Sequence, residues 1–296
     1  LQHKLKYFLV GLFSNSIKWL LYTSIFAALC AVGLSIATER LLLSKTAFSF
    51  TSWSFIFSPL HIFIFSNTIF IYNVHYGIKR LPEGISDRAD WSRKYRYIHW
   101  FLIALSIIVS GICLLLLNWK IFLAASFLGI LSLGYSLPIL PFKNKKRLKD
   151  FGILKLILLC FVWACVTTLL PMLYWNKQFE SYEVEFFLRF TLMMPLCIAF
   201  DIRDMHIDKE NSIFTLPNAI GLKNAYRLID FSLLANVLLA VWQFSRYPIM
   251  HRFLSALAIA ALTKLIIIGS KKYNSDFYHL LLIDGVMLLY ALMIIL

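Results

Sequence analysis

Residues 97–117 read YIHWFLIALSIIVSGICLLLL and residues 119–138 read WKIFLAASFLGILSLGYSLP, divided only by Asn118, Trp119 and Lys120. Crossing the hydrocarbon core of a bilayer takes about 20 mostly apolar residues in a helix. Both runs reach that length, so together they predict two membrane-spanning helices joined by a tight turn. Apart from Lys120 at the turn, neither run contains a Lys, Arg, Asp or Glu.

The same window finds further runs near 16–38, 52–73, 152–175, 184–200, 225–245, 252–270 and 277–296, which makes about nine in all. Of the 296 residues, 60% are hydrophobic and 15% charged, and the mean hydropathy is +0.75. Soluble domains run at about 45–50% apolar. Too few charges remain to give a fold of this length a polar surface, so a soluble protein is excluded. The fold class expected is an all-α integral membrane protein, residues 1–296 forming one transmembrane domain. The first apolar run has no small-residue cleavage site after it, so no cleaved leader is expected.

The five cysteines all fall inside apolar runs, with no CxxC or Cys/His pair at metal-ligand spacing. They read as buried or lipid-facing side chains. A net charge of +14 invites a nucleic-acid reading. The basic residues, however, sit in the gaps between apolar runs rather than in a stripe, which suits membrane orientation and anionic headgroups. No nucleic-acid partner is expected. No inverted repeat or Gly/Pro-broken pair of short helices suggests a transporter.

Lys and Arg concentrate in alternate gaps. Lys79, Arg80, Arg88, Arg93, Lys94 and Arg96 follow the second run, and Lys143, Lys145, Lys146, Arg147 and Lys149 follow the fourth. The bias of Lys and Arg toward cytoplasmic loops then puts these gaps and the N-terminus inside and the C-terminus outside. The residence expected is the inner membrane of a bacterium.

The stretch richest in chemistry is Asp201-Ile-Arg-Asp204-Met-His-Ile-Asp208. Carboxylates at i, i+3 and i+7 share one face if the sixth helix continues through them, with Arg203 and His206 pointing elsewhere. Three neighbouring anions become favourable when a divalent cation bridges them. Mg²⁺ suits this, because it binds through one or two carboxylates plus substrate phosphates. A solvated helix end with its acids paired to Arg203 and Lys209 is the plainer reading. Lying against an apolar helix tilts the balance toward function.

With Thr215-Leu216-Pro217 and Ile220-Gly221 behind it, this run resembles the second aspartate-rich motif of the UbiA superfamily, intramembrane prenyltransferases with nine helices around a cavity open to the cytoplasm. The resemblance implies that Asp201, Asp204 and Asp208 bind Mg²⁺, which holds the diphosphate of an isoprenoid donor. It also matches Tyr135-Ser136-x-Pro138 and the basic run after it to the family's diphosphate-binding loop, with Tyr135, Lys143, Lys146 and Arg147 as ligands. The partners implied are an isoprenoid diphosphate, a lipophilic acceptor and membrane lipid. The oligomeric state stays open.

The family's first motif, Asn-Asp-x-x-Asp-x-x-x-Asp, is degenerate here. Asn73 matches its Asn, but Val74, Gly77 and Leu81 stand at the Asp positions. Three explanations compete. Glu83, Asp87 and Asp90 substitute from downstream; His75, Lys79 and Arg80 contact the diphosphate in place of metal; or ionisation chemistry is lost and the chain binds a lipid, a quinone or a partner. Ser86 also reads as an ordinary helix N-cap with acids in the first turn. On the enzyme reading Asp204, Asp208 and Asn73 are catalytic, Asn73 orienting a polar substrate atom. Lys264 and Asp284 are expected to pair across the last two helices.

A cysteine introduced at position 145 is expected to react with a membrane-impermeant thiol reagent from the cytoplasmic side only. Labelling from the outside overturns the orientation.

Overall fold

The computed structural model describes residues 15–43, 57–78, 84–137, 152–178, 183–210 and 215–296. Among these the chain is helical, with no strand. Such economy follows from the solvent: lipid offers no hydrogen bonds, so each spanning segment must satisfy its own backbone.

The helices are α1 (Ile25–Leu42), α2 (Pro59–Ile78), α3 (Asp87–Lys94), α4 (Arg96–Leu116), α5 (Trp119–Ser136), α6 (Gly152–Tyr174), α7 (Glu183–Glu210), α8 (Leu216–Ile220), α9 (Leu222–Arg246), α10 (Met250–Ser270) and α11 (Asp276–Ile295). Six of the described helices (α1, α4, α6, α9, α10 and α11) are long and apolar enough to cross a membrane. α5 is apolar over the shorter stretch Trp119–Tyr135. α2 and α7 reach spanning length but mix polar residues into their surfaces. The expected total of nine is therefore not fixed by length and composition.

The α4–α5 hairpin forms as its sequence dictates. Asn118 ends one helix and caps the next, its side-chain oxygen accepting a hydrogen bond from the Ile121 amide at 3.0 Å. α7 continues past its apolar run to Glu210, the condition for its three aspartates to share a face, with Pro195 inside it. Its 28 residues make it about 42 Å long at 1.5 Å per residue. A core of about 30 Å leaves its last turns outside the hydrocarbon.

Packing arranges these helices in a ring: α2, α1, α11, α10, α9, α7, α6 and α5 are successive neighbours, and α5 returns to α2. α4 packs outside the ring against α2. Outward faces of α4 and α9 present Phe101, Ile108, Leu115, Phe231 and Leu238, as lipid-facing helices do.

The run expected over 16–38 is broken. A helical stretch over 15–22 stops at Thr23 and Ser24, where Ser24 adopts a left-handed φ of 65°, and α1 begins afresh at Ile25. That conformation costs a non-glycine residue about 1–2 kcal/mol. Two contacts offset it. The Asn73 side-chain amide donates to the Thr23 carbonyl at 3.0 Å, and the Arg88 guanidinium donates to the Ser24 hydroxyl at 2.8 Å.

Asn73 is fully buried and uses its whole amide in this way. It also donates to the Ile69 carbonyl, and its oxygen lies 2.6 Å from His99 Nδ1 on α4. One side chain thus ties the break before α1 to α2 and α4. Asn73→Ala is expected to destabilise the fold by about 1–3 kcal/mol, the cost of leaving buried polar partners unsatisfied. Thermal unfolding in detergent measures this, and an unchanged melting temperature overturns it.

Candidate functional site

A cavity of about 380 Å³ lies inside the ring. The helix ends give it two distinct halves. Toward the start of α2 and the end of α6 it is apolar, lined by Phe63, Ile64, Leu128, Leu170 and Met193. Toward the ends of α2, α5 and α7 and the start of α6 it is polar, with Tyr135, Lys155, Asp201, Asp204 and Asp208 among its lining. Arg88 on α3, Arg203 on α7 and Asp284 on α11 complete the charged set.

Because α7 runs on through the acidic stretch, all three carboxylates reach the cavity on one face. The segment after it returns onto α7: Asn218 on α8 donates to the Met205 carbonyl at 3.1 Å. Gly221, at φ 80°, then turns the chain from α8 into α9. Glycine takes that conformation without strain.

Each carboxylate has a counter-charge at hand. The Lys155 ammonium donates to Asp201 Oδ1 at 2.5 Å and stands 3.9 Å from Asp208 Oδ2. Arg203 forks onto Asp204 at 2.8 and 3.1 Å and reaches Asp276 Oδ1 at 3.2 Å. The other Asp276 oxygen accepts the Arg88 backbone amide at 2.9 Å. The Arg88 guanidinium lies 4.0 Å over the ring of Tyr76 on α2. Arg203, expected to point away, is therefore part of the site.

α2 shows a different face from the one anticipated. Its residues toward the cavity are Asn67, Thr68, Ile71, Tyr72, His75 and Tyr76. Asn73 and Gly77 lie on the side packed against α4, where a Cβ at Gly77 would meet Ile103 Cδ1 at 3.4 Å and His99 at 3.5 Å. Val74 is likewise buried and absent from the cavity lining. The catalytic role expected for Asn73 is corrected accordingly: its amide is spent on Thr23, Ile69 and His99, and it has no access to the cavity.

Of the other anticipated ligands, Tyr135 and His75 line the cavity. Lys79, Arg80, Lys143, Lys146 and Arg147 lie outside the described residues. Among the described residues the downstream acids Asp87 and Asp90 do not line the cavity. Ser86 caps α3 by accepting from the Ala89 amide, and Asp90 pairs with Arg93 and the Gly84 amide. Glu83 is outside the described residues. The expected Lys264–Asp284 pair does not form: Lys264 bonds to Asp230 on α9, while Asp284 faces the cavity.

Sequence reading missed Lys155, Arg88 and Asp284 as site residues. Lys155 had a signal, since it is a lone cation one turn into an apolar run, where an ionisable residue is functional by default. Arg88 had none, because it looked like one of six cations in a gap.

The donor set bears on a metal. Among the described residues no three His, Cys, Asp or Glu side chains form a group able to hold an ion by themselves. Asp204 and Asp208, four apart on one face of α7, both line the cavity, and two carboxylates are what Mg²⁺ would take if substrate phosphates completed its shell. Among the described lining residues, Arg88, Lys155 and Arg203 face four carboxylates, Asp201, Asp204, Asp208 and Asp284. Oδ2 of Asp201 is buried with no hydrogen-bond partner among the described residues. A site with surplus carboxylate fits a divalent cation that arrives with an anionic substrate.

The fold has solved relatives. A UbiA homolog from Archaeoglobus fulgidus bound to GPP and Mg²⁺ superposes with a TM-score of 0.58 at 15% identity, covering 94% of this chain and 99% of that one. The same archaeal protein bound to Cd²⁺ gives a TM-score of 0.61 at 15% identity over the same shares. The apo structure of a UbiA homolog from Aeropyrum pernix K1 gives 0.61 at 16% identity, covering 90% and 96%. No curated protein matches the sequence. The model of the UbiA prenyltransferase family matches residues 93–282. The chain belongs to the UbiA prenyltransferase family and is a multi-pass integral membrane protein with that family's fold.

Proposed function

We propose that the chain takes an isoprenoid diphosphate into this cavity and transfers the prenyl group to a lipophilic acceptor. The observation that carries the reading is the division of one cavity into an apolar half and a half that gathers Lys155, Arg88 and Arg203 with four carboxylates. A prenyl chain has the chemistry of the first half and a diphosphate that of the second.

Phe63, Ile64, Leu128 and Met193 would hold the chain and exclude water from the allylic carbon. Lys155 and Arg203, fixed by their carboxylates, would face the phosphate oxygens, Arg203 as a fork and Lys155 as a point charge. Reaction breaks the allylic C–O bond, and its electron pair leaves on the diphosphate. The allylic cation is captured by an acceptor nucleophile that loses a proton, or by an alkene of the same chain in cyclisation, the new cation then losing a proton to form an alkene. Charges aimed at the leaving oxygens stabilise that step, because they sit in place before charge develops.

Among the described lining residues three cations stand against four carboxylates, so a diphosphate there calls for further positive charge. Mg²⁺ between Asp204, Asp208 and the substrate oxygens would supply the remaining positive charge and stabilise the leaving group. Tyr135 and His75 would add hydrogen bonds, and Lys143, Lys146, Arg147, Lys79 and Arg80 further cations from the adjoining loops. We place this mouth on the cytoplasmic side, following the Lys and Arg bias of the loops.

One observation favours a second reading, binding of an isoprenoid, quinone or lipid without catalysis. Among the described residues α2 brings no carboxylate to the cavity, so any metal there has ligands on one side only.

Purified protein in lipid is expected to release pyrophosphate from radiolabelled geranyl, farnesyl or geranylgeranyl diphosphate with Mg²⁺. Asp204→Asn or Asp208→Asn is expected to cut the rate at least about 100-fold, as removing a group that stabilises developing charge does. Absence of release with every donor, alongside a melting temperature raised by a lipid diphosphate, selects the binding reading. No release and no shift sinks both.

Lys155→Met is expected to destabilise the protein by about 3–5 kcal/mol, since Asp201 is then left buried without its cation. Adding Asp201→Leu is expected to restore most of that loss. If the double variant melts no higher than the single one, the two side chains are not coupled.

A further inference from the structure

On the α2 side of the cavity the family motif would supply carboxylates and, through them, a metal. Among the described residues, a guanidinium lies there. Arg88 reaches in from α3, is 5% exposed, and rests 4.0 Å over the face of Tyr76 on α2. One nitrogen is fixed by the Ser24 hydroxyl at 2.8 Å, while its Nε is buried with no hydrogen-bond partner among the described residues. The backbone of Arg88 is held by Asp276, which also binds Arg203.

These constraints have an energetic meaning. Burying a guanidinium is costly unless its charge is met and its donors are used. The ring of Tyr76 meets part of the charge, and Ser24 uses one donor. Its backbone, not its side chain, takes the Asp276 carboxylate that would otherwise neutralise it. Asp284 on α11 lines the same cavity and meets a further part of the charge, and one donor is still left over beside a space large enough for a ligand.

We infer that Arg88 is a headgroup ligand of this cavity, supplying on the α2 side the positive charge that a metal on the first aspartate motif would otherwise bring. This rests on the reading of the cavity as an isoprenoid-diphosphate site. It gives the missing carboxylates a physical explanation: a fixed cation needs no aspartates on α2 to hold it. A guanidinium stacked on an aromatic ring also presents its fork in a defined plane, which a lysine there would not. One divalent ion, on the α7 side, then suffices.

Two measurements on full-length protein in nanodiscs test this. Manganese EPR with geranylgeranyl thiodiphosphate, a non-hydrolysed donor analogue, counts bound ions per chain. One Mn²⁺ supports the inference, two overturn it, and the count needs no variant. Binding of the same analogue is then compared for wild type and Arg88→Gln, with geranylgeraniol as the uncharged control. The variant is expected to bind the diphosphate about tenfold or more weaker, the loss usual for a charged hydrogen bond, and the alcohol as wild type does. Equal diphosphate affinity overturns the role of Arg88 while leaving the cavity reading standing. A wild type that binds no isoprenoid diphosphate at all removes both.

Discussion

A charge carried to the depth of a bilayer has to meet another charge or a dense set of hydrogen bonds, because the surroundings solvate neither. That constraint shapes this molecule more than any other. At the mouth of the cavity it yields Lys155 with Asp201, Arg203 with Asp204 and Asp276, and Arg88 between Tyr76 and Ser24. At the other ends of α1 and α2 it yields the fully buried pair Glu39 and His61, 2.9 Å apart. Except for Arg203 with its neighbour Asp204, these contacts cross between elements, so the electrostatics that make burial tolerable also fix how the helices sit. The site and the scaffold are held by the same contacts.

Helical periodicity decides which residues those contacts can include. α2 turns Asn67, Thr68, Tyr72, His75 and Tyr76 to the cavity and Asn73 and Gly77 to α4. Asn73, the residue of α2 expected to be catalytic, is a structural clamp. Asn73 holds the break at Ser24, and the break in turn offers its hydroxyl to Arg88. A chain of three contacts thus leads from the α2–α4 interface into the cavity. The wide turns at Cys165–Leu169 in α6 and His279–Ile283 in α11 fall on helices that line the cavity, and Asp284 directly follows the second. Such turns recur at functional sites, where the helix ladder is interrupted.

Much of this was legible in the chain. Runs of about 20 apolar residues mark spanning helices because hydrocarbon admits little else. Asn118 between two such runs could only be a turn, and the spacing of Asp201, Asp204 and Asp208 put them on one face before any coordinates did. What stayed hidden depends on contacts between elements. Nothing local says that Lys155 reaches α7 rather than the headgroups, or that Lys264 finds Asp230 instead of Asp284. The face of α2 that meets the cavity is set by what α4 covers. An error of one position in that register moves every candidate ligand by about 100°, from cavity to interface. Hydropathy alone does not show how far α7 continues, because it falls where a helix leaves the membrane, whereas the backbone hydrogen bonds go on.

On the proposed reading, pairing each cation with a carboxylate serves selection as well as burial. A mouth lined by bare Lys and Arg would fill with the anionic phospholipids that surround it in every membrane. Here an incoming phosphate must compete with Asp201 for Lys155 and with Asp204 for Arg203. A single phosphodiester charge gains little by that exchange, since it replaces one carboxylate contact with another of similar strength. A diphosphate accompanied by a divalent ion gains more, because the ion takes up the carboxylates that the cations release. Discrimination then comes from what the wrong ligand cannot repay rather than from extra contacts to the right one. The carboxylates paired with Lys155 and Arg203 are what enforce it.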